Sequence, residues 1–478
     1  MKIYYHPLIL IFLYILLHLS IRLIFDNSIQ VDDREQIIVA QEILLGYDMP
    51  QPPLYSWFAY FFFKIFGINL YALSILKYFL IFITFIFIHR ISNLIFANKE
   101  TASMAIFSYL LMVPFAWHMH QGFTHTIMLS LGIVMSTYYI LKIIHGGNLW
   151  MYFMLGISLA IGILGKYSFI VYCVLMTLVL ISNKEFRKKF LEFRSSVTLL
   201  TLFSLILPHF LWLVDNWRRI HAYAEARLGI ESNTLSFIEV LNKLLIGGIG
   251  FLSPLILILI LINYDKIFNV KKSPKNISLN EILFRHFYLY LSFALILFTL
   301  FLDMKEVRVR WLHPILMVAP FWFFLIIDRH GGLSAKKNKI YFSLVISFTI
   351  LIFAIRLAQN TIGPQLGYYG RLNIPINATL KSIPRSEEIS KINTPDFSLG
   401  SHLFSVFKNK KIIIGSKIYG IEHPVENGKC LILFDNDGSA DANKEQMEAK
   451  YGNFLEIKPN SSTSNYRIYY KYLENNNC

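Results

Sequence analysis

Residues 7–67 read PLILIFLYILLHLSIRLIFDNSIQVDDREQIIVAQEILLGYDMPQPPLYSWFAYFFFKIFG. The opening part is almost uniformly apolar as far as Phe25. A stretch of about 20 apolar residues is what a helix needs to cross the hydrocarbon core of a bilayer. A cleaved secretory leader has a shorter apolar core, about 7–15 residues, followed by a small-x-small cleavage site. No such site follows here, so the stretch predicts a retained first span. The character then changes abruptly. Asp32, Asp33, Arg34 and Glu35 come in succession, and a Pro52-Pro53 pair precedes a run dominated by Phe, Tyr and Trp. A span, a charged loop and an aromatic return predict a polytopic helical membrane protein whose first loop, 31–67, does more than connect.

The same alternation runs through most of the chain. Of 478 residues, 55% are hydrophobic and 16% charged, with a mean hydropathy of +0.50. A soluble domain is roughly a quarter charged, and the deficit here lies in long uncharged runs. By the length criterion about eleven stretches qualify as spans, near 7–26, 69–88, 102–117, 124–143, 149–164, 167–182, 196–214, 241–263, 284–302, 311–327 and 339–358. The fifth and sixth are short enough to form one broken unit. The fold class expected is mainly α: a transmembrane helical bundle over 1–358, followed by a small C-terminal α/β domain over 359–478. In that tail Gly, Pro, Asn, Ser and Lys become common. KKIIIGSK, KCLILFDNDG and NYRIYYKYL read as strands there, and residues 441–450 as a helix.

The net charge is +15, but the Lys and Arg residues lie mainly between apolar runs. That is a topology signal and not a nucleic-acid footprint, so no nucleic-acid partner is expected. With the N-terminus inside, the cytoplasmic segments carry Arg90, Lys99, Lys142, Lys184, Arg187, Lys188, Lys189, Arg194, Lys266, Lys271, Lys272, Lys275, Arg329, Lys336, Lys337 and Lys339. The outer segments carry fewer. An odd number of spans then puts the tail outside. Asp32, Asp33, Lys166, Asp215, Arg218, Lys305, Arg308 and Arg310 all fall at outer span ends. Charges near the membrane are costly unless paired or used, so the set predicts one outward-facing polar cavity.

Two segments outside the spans read as helices. Residues 34–45 follow an Asp suited to capping and end before Gly46. Leu54 to Phe66 is an aromatic run suited to lying in the interface. Cys173 sits in an apolar run, whereas Cys430 and Cys478 suit pairing in an oxidising compartment. Three cysteines form no zinc motif. His118, His120 and His125 are spaced for metal binding, with interfacial imidazoles as the plainer reading. Asp435-Asn436-Asp437-Gly438 has the Asp-x-Asp form of a metal site but follows a strand and ends in Gly, as an ordinary turn does. Asp215-Asn216-Trp217-Arg218-Arg219 lines a cavity or caps a helix. Asp32 and Asp33, directly after the first span, suit general-base chemistry towards a hydroxyl. A solvated loop or a helix N-cap is the alternative.

The order of these features resembles the GT-C glycosyltransferases, in particular the branch holding protein O-mannosyltransferases and the lipid A aminoarabinose transferase. The matching residues are Asp32-Asp33, Gly46, Gln51-Pro52-Pro53-Leu54-Tyr55-Ser56-Trp57 and Phe66-Gly67. Gly162-Ile163-Leu164-Gly165-Lys166-Tyr167-Ser168 is similar to the family's Gly-x-x-x-Lys-Tyr-Thr segment, and Arg310-Trp311-Leu312-His313-Pro314 to its Arg-Tyr-x-x-Pro segment. The resemblance implies a polyprenyl-phosphate-linked sugar as donor, and a lipid, glycan or protein acceptor on the outer side. The Lys-, Asn- and Ile-rich composition suggests an AT-rich bacterial genome and so a bacterial inner membrane. It implies Asp32 as base, with Asp33 orienting it or holding a divalent metal. Lys166, Arg308, Arg310 and Gln51 would bind the donor phosphate. Pro52, Pro53, Tyr55, His125, Asp215 and Arg218 would line the cavity. Gln51 stands where the aminoarabinose transferases carry a Lys, and His125-Thr126 where relatives often have Pro-Asp. A transporter or flippase, and an inactive scaffold of the same fold, are the competing readings.

Overall fold

The computed structural model describes residues 6–26, 28–29, 31–47, 49, 51–218, 221, 236–268, 277–301, 309–369, 372–407, 410–415, 417–419, 429–436, 440–459 and 466–473. The chain forms two compact units. One comprises Met1–Leu16, Leu44–Tyr55 and Lys77–Ile352; the other comprises Leu17–Ile43, Ser56–Leu76 and Phe353–Cys478.

The first unit is helical. Among the described residues of the whole chain, five helices are long and apolar enough to cross a membrane: Pro7–Ile24, Leu70–Ile95, Thr124–Ile144, Ser195–Asp215 and Ala335–Thr361. A sixth is counted if the bent pair Phe169–Ser182 and Lys184–Phe190 is one span. Several of the other expected stretches are short or broken among the described residues. The stretch near 102–117 divides into helix Lys99–Phe107, a 3₁₀ turn Ser108–Leu111 and helix Val113–Ala116. Pro114 stands in the first turn of the last piece, where a missing N–H costs nothing. The stretch near 311–327 breaks the same way, into Val309–Leu312, His313–Leu316 and Ala319–Arg329, with a Pro opening each of the last two. The broken segments are tied together by Tyr109, whose hydroxyl donates to the Met317 carbonyl at 2.9 Å. The expected fifth and sixth spans are separate helices, Leu149–Gly165 and Phe169–Ser182.

The second unit carries a six-stranded mixed sheet. Its strands are β1 (Ile389–Thr394), β2 (Lys411–Ile414), β3 (Lys417–Tyr419), β4 (Lys429–Asp435), β5 (Leu455–Ile457) and β6 (Ile468–Leu473). Their order across the sheet is β3-β2-β1-β4-β6-β5. β1 pairs in parallel with β2 and β4, with Ile392 opposite Ile412 on one side and Leu431 on the other. The near-continuous apolar reading of β4 fits a strand covered on both faces, and Cys430 to Asp435 are all buried. A parallel step needs a crossover, supplied here by helix Phe397–Val406. Asp396 caps that helix by accepting from the amides of Ser398 and Leu399. The tail strands and helix expected from the sequence are present, as Lys411–Ile414, Lys417–Tyr419, Lys429–Asp435, Ile468–Leu473 and Ala440–Tyr451. β1, with the polar sequence ISKINT, and helix Phe397–Val406 have no counterpart in that reading.

Candidate functional site

The acidic pair belongs to the second unit. The helix expected over 34–45 runs instead over Val31–Val39, so Asp32 and Asp33 lie within its first turn and do not precede it as a cap. Carboxylates in a first turn are favoured by the unpaired amides and the positive end of the helix dipole. The two side chains have different surroundings. Asp32 is half-buried. Asp33 is 1% exposed, and its Oδ2 lies 3.0 Å from Nη2 of Arg22, itself 1% exposed. Arg22 also pairs with Asp26 at 2.8 Å, and Asp26 accepts from the Asn360 amide at 2.6 Å. One turn earlier on the same helix, His18 meets Arg356 at 2.6 Å.

Sequence reasoning passed over Arg22 because it reads as one interruption of an apolar run. Its spacing to Asp26, i to i+4, was a legible signal for pairing along one helix. The pairing to Asp33 needs the turn that follows. Gln36, from the same short helix, accepts from the Ser56 hydroxyl at 2.7 Å. This helix is therefore held both to the end of the first span and to the aromatic helix Leu54–Phe66.

The remaining candidates belong to the first unit, and glycines organise them. A Cβ on Gly132 would fall 2.5 Å from the Cα of Gly162, one on Gly162 2.4 Å from the Phe169 ring, and one on Gly165 2.6 Å from Met128. Helices Thr124–Ile144 and Leu149–Gly165 thus meet backbone to backbone, as small residues permit in membrane bundles. Lys166 follows directly. Its Nζ donates to the Thr126 hydroxyl at 2.7 Å, in the first turn of helix Thr124–Ile144. His125 in the same turn bonds the Gly165 carbonyl at 3.2 Å, and its ring lies 5.8 Å from that of Tyr55. Lys166, His125, Thr126 and Tyr55 are thereby gathered at one helix N-terminus. The Thr124 hydroxyl at that end is buried with no hydrogen-bond partner among the described residues.

Pro52, Pro53 and Tyr55 are buried, and Gln51 is half-buried beside them. Gly46 has a steric cause: a Cβ there would lie 2.2 Å from the Trp212 ring. The neighbouring Leu45 carbonyl bonds His209 at 2.7 Å, and the other ring nitrogen of His209 bonds the Tyr167 hydroxyl at 2.9 Å. Asp215 and Arg218 are exposed at and just beyond the end of helix Ser195–Asp215. Arg310 falls in the turn Val309–Leu312, with its side chain outside the described residues. Lys305 and Arg308 also lie outside them.

The three loop histidines have separate partners. His120 sits between the hydroxyls of Tyr14 and Tyr78, His118 lies against Phe123, and His125 is placed as above. Among the described residues no group of three or more His, Cys, Asp or Glu side chains is arranged to hold a metal. Asp435 accepts from the Tyr466 hydroxyl at 2.7 Å and Asn436 from the Arg467 amide at 2.7 Å. These two residues therefore close a strand end, as turn chemistry anticipates. Asp437 and Gly438 lie outside the described residues.

Residues 50–212 match the family model for dolichyl-phosphate-mannose-protein mannosyltransferases. Two proteins of Rhizobium johnstonii are similar over most of their length. The lipopolysaccharide core galacturonosyltransferase RgtA is 23% identical, over 92% of this chain and 89% of that protein. RgtB, of the same description, is 25% identical over 82% and 79%. Among solved structures, ArnT from Cupriavidus metallidurans bound to undecaprenyl phosphate superposes with a TM-score of 0.60 at 10% identity, covering 97% of both chains. Its apo form gives 0.58 with the same coverage.

Proposed function

We propose that the chain is a multi-pass membrane glycosyltransferase of the GT-C type, resembling ArnT and the protein O-mannosyltransferases, and that it transfers a sugar from a polyprenyl phosphate to a hydroxyl of a cell-envelope lipid or glycan. The donor class rests on the undecaprenyl phosphate bound by the similar ArnT. The acceptor class rests on RgtA and RgtB, named for the lipopolysaccharide core.

The reaction makes two demands. An acceptor oxygen attacks the anomeric carbon while the bond from that carbon to the phosphate oxygen breaks, and the departing polyprenyl phosphate keeps the electron pair. The hydroxyl proton needs a base, and the phosphate needs positive charge. Asp32 is the base in this reading, and the observation that carries it is the contrast within the acidic pair. The contrast is one of exposure: Asp33 is 1% exposed and lies on Arg22, whereas Asp32 is half-buried, so Asp33 acts by orienting the turn. Asp33 Oδ2 is engaged by the Arg22 guanidinium, and no step is assigned to a metal.

Lys166 at the first turn of helix Thr124–Ile144 supplies the positive charge, with the helix N-terminus adding to it. This arrangement offers a substitute for the Lys that Gln51 replaces. Arg310 is a second phosphate ligand in this reading. Residues 359–478 form the extracytoplasmic domain, with the N-terminus cytoplasmic. The Lys and Arg distribution supports that orientation, as does Cys430, which is disulfide-bonded.

Purified enzyme given a radiolabelled undecaprenyl-phosphate sugar and envelope lipids should transfer label. Asp32→Asn should lower the rate about 10²–10⁴-fold, the range of a general base. Undiminished transfer by Asp32→Asn removes Asp32 as base. No transfer from any such donor favours a scaffold of the same fold.

A further inference from the structure

Two residues before the helix that carries Asp32, both backbone groups of Ile29 are taken by side chains. The Ile29 carbonyl accepts from Nε of Arg34 at 2.6 Å. The Ile29 N–H donates to Nε2 of His402 at 3.4 Å. A second nitrogen of the same Arg34 guanidinium, Nη1, donates to the Ser398 hydroxyl. Ser398 and His402 stand one turn apart on helix Phe397–Val406, the crossover between β1 and β2. The other ring nitrogen of His402, Nδ1, is engaged by Asn377 at 2.9 Å. Immediately before Ile29, the Ser28 N–H donates to the Leu372 carbonyl at 2.9 Å. The entry to the catalytic helix is therefore fastened to residues that follow the last span at Ser28, at Ile29 and, through the Arg34 side chain, at Ser398.

We infer that Arg34 and His402 are positioning residues that clasp the turn before Asp32 to the crossover helix of the C-terminal sheet, making that domain part of the catalytic apparatus. The inference rests on the assignment of Asp32 as base. Its chemistry is specific. Arg34 serves two acceptors from two nitrogens of a rigid fork, which a Lys with one terminal nitrogen does not reproduce. His402 must be an acceptor at Nε2, so it must be neutral with its proton on Nδ1. Burial first, and then the charges of Arg34 and Arg22, push its pKa down to about 3 and hold it so. No substrate contact is assigned to either residue. Their effect is on where the Asp32 carboxylate lies relative to the attacking hydroxyl.

The test combines kinetics with amide hydrogen exchange on the full-length enzyme in detergent. Arg34→Lys and His402→Leu should lower kcat by about tenfold or more, the cost of a sub-ångström to ångström misplacement, with KM for the donor within about twofold of the native value. His402→Gln, whose side-chain oxygen can accept from Ile29, should restore most of the rate. In the same variants the amides of 28–39 should exchange faster, while those of β4 keep their protection. Unchanged exchange over 28–39 overturns the clasp, as does equal damage by His402→Gln and His402→Leu. Faster exchange with an unchanged kcat overturns its catalytic part when Asp32→Asn is inactive. The same result with an active Asp32→Asn shows instead that the base assignment has failed.

Discussion

Buried charge is the most informative feature among individual side chains. Arg22, Asp26 and Asp33 form a triad with two carboxylates on one guanidinium, all nearly excluded from solvent. Such groups contribute little net stability, since desolvation offsets the attraction, whereas removing one partner costs about 3–5 kcal/mol. Their effect is on geometry, and here the geometry is that of the turn carrying Asp32. His402 allows a separate measurement. Its folded-state pKa is about 3, against roughly 6.5 for an unfolded histidine. The unfolded chain therefore takes up a proton first as the pH falls. Stability from this residue is complete above about pH 6.5 and declines below it, by up to about 1.4 kcal/mol per pH unit, until the folded state also protonates. Thermal unfolding in detergent at pH 7.5, 6 and 5 should show native enzyme losing midpoint temperature faster than His402→Gln, which does not titrate. Parallel losses count against a neutral buried His402.

Pairs of elements explain what the motifs are for. Gly162-Ile163-Leu164-Gly165-Lys166 is a packing device that ends in a charge. The two glycines and Gly132 bring helices Thr124–Ile144 and Leu149–Gly165 into backbone contact, and that contact sets Lys166 beside Thr126. Gly132→Val should destabilise the protein by about 1–3 kcal/mol, the usual cost of overpacking. It should also raise the donor KM by displacing Lys166, and Thr126→Ala should not reproduce the loss of stability. Thermal shift and initial-rate measurements on both variants check this. An unchanged melting temperature for Gly132→Val means that the close approach is not needed. Gly46 shows the same logic against Trp212. For Gly132, Gly165 and Gly46 the residue type was visible in the sequence, but its partner lay 30 or more positions away.

The molecule as a whole combines an apolar helical part with a sheet reached only at the end of the chain. The membrane orientation proposed from charge is open to direct test. A cysteine placed at the exposed Glu387 should react with an impermeant maleimide in intact cells, and one at the exposed Lys188 only after permeabilisation. The reverse pattern overturns the topology and, with it, an extracytoplasmic acceptor.

Sequence alone determined the class of the protein. Long apolar runs separated by charge have only one stable form in a bilayer, since backbone polar groups there must bond within the segment. Two features of the tail also follow from local pattern. β4 reads KCLILFD, a buried strand, and the helix Ala440–Tyr451 is uninterrupted by Gly or Pro. The acidic pair, the double proline and the Gly-rich segment before Lys166 were legible as motifs. Tertiary structure alone decided the rest. The 102–117 and 311–327 runs are apolar throughout yet broken, because proline and long-range bonds such as Tyr109 to Met317 outweigh hydropathy. β1 is polar and becomes a strand only because β2 and β4 flank it. The unequal environments of Asp32 and Asp33 depend on Arg22, which is 11 residues from Asp33. The clasp on the same turn depends on Ser398, which is 364 residues from Arg34. Adjacent identical side chains carry no signal of their own that distinguishes them, so their roles are set by what the fold brings to each.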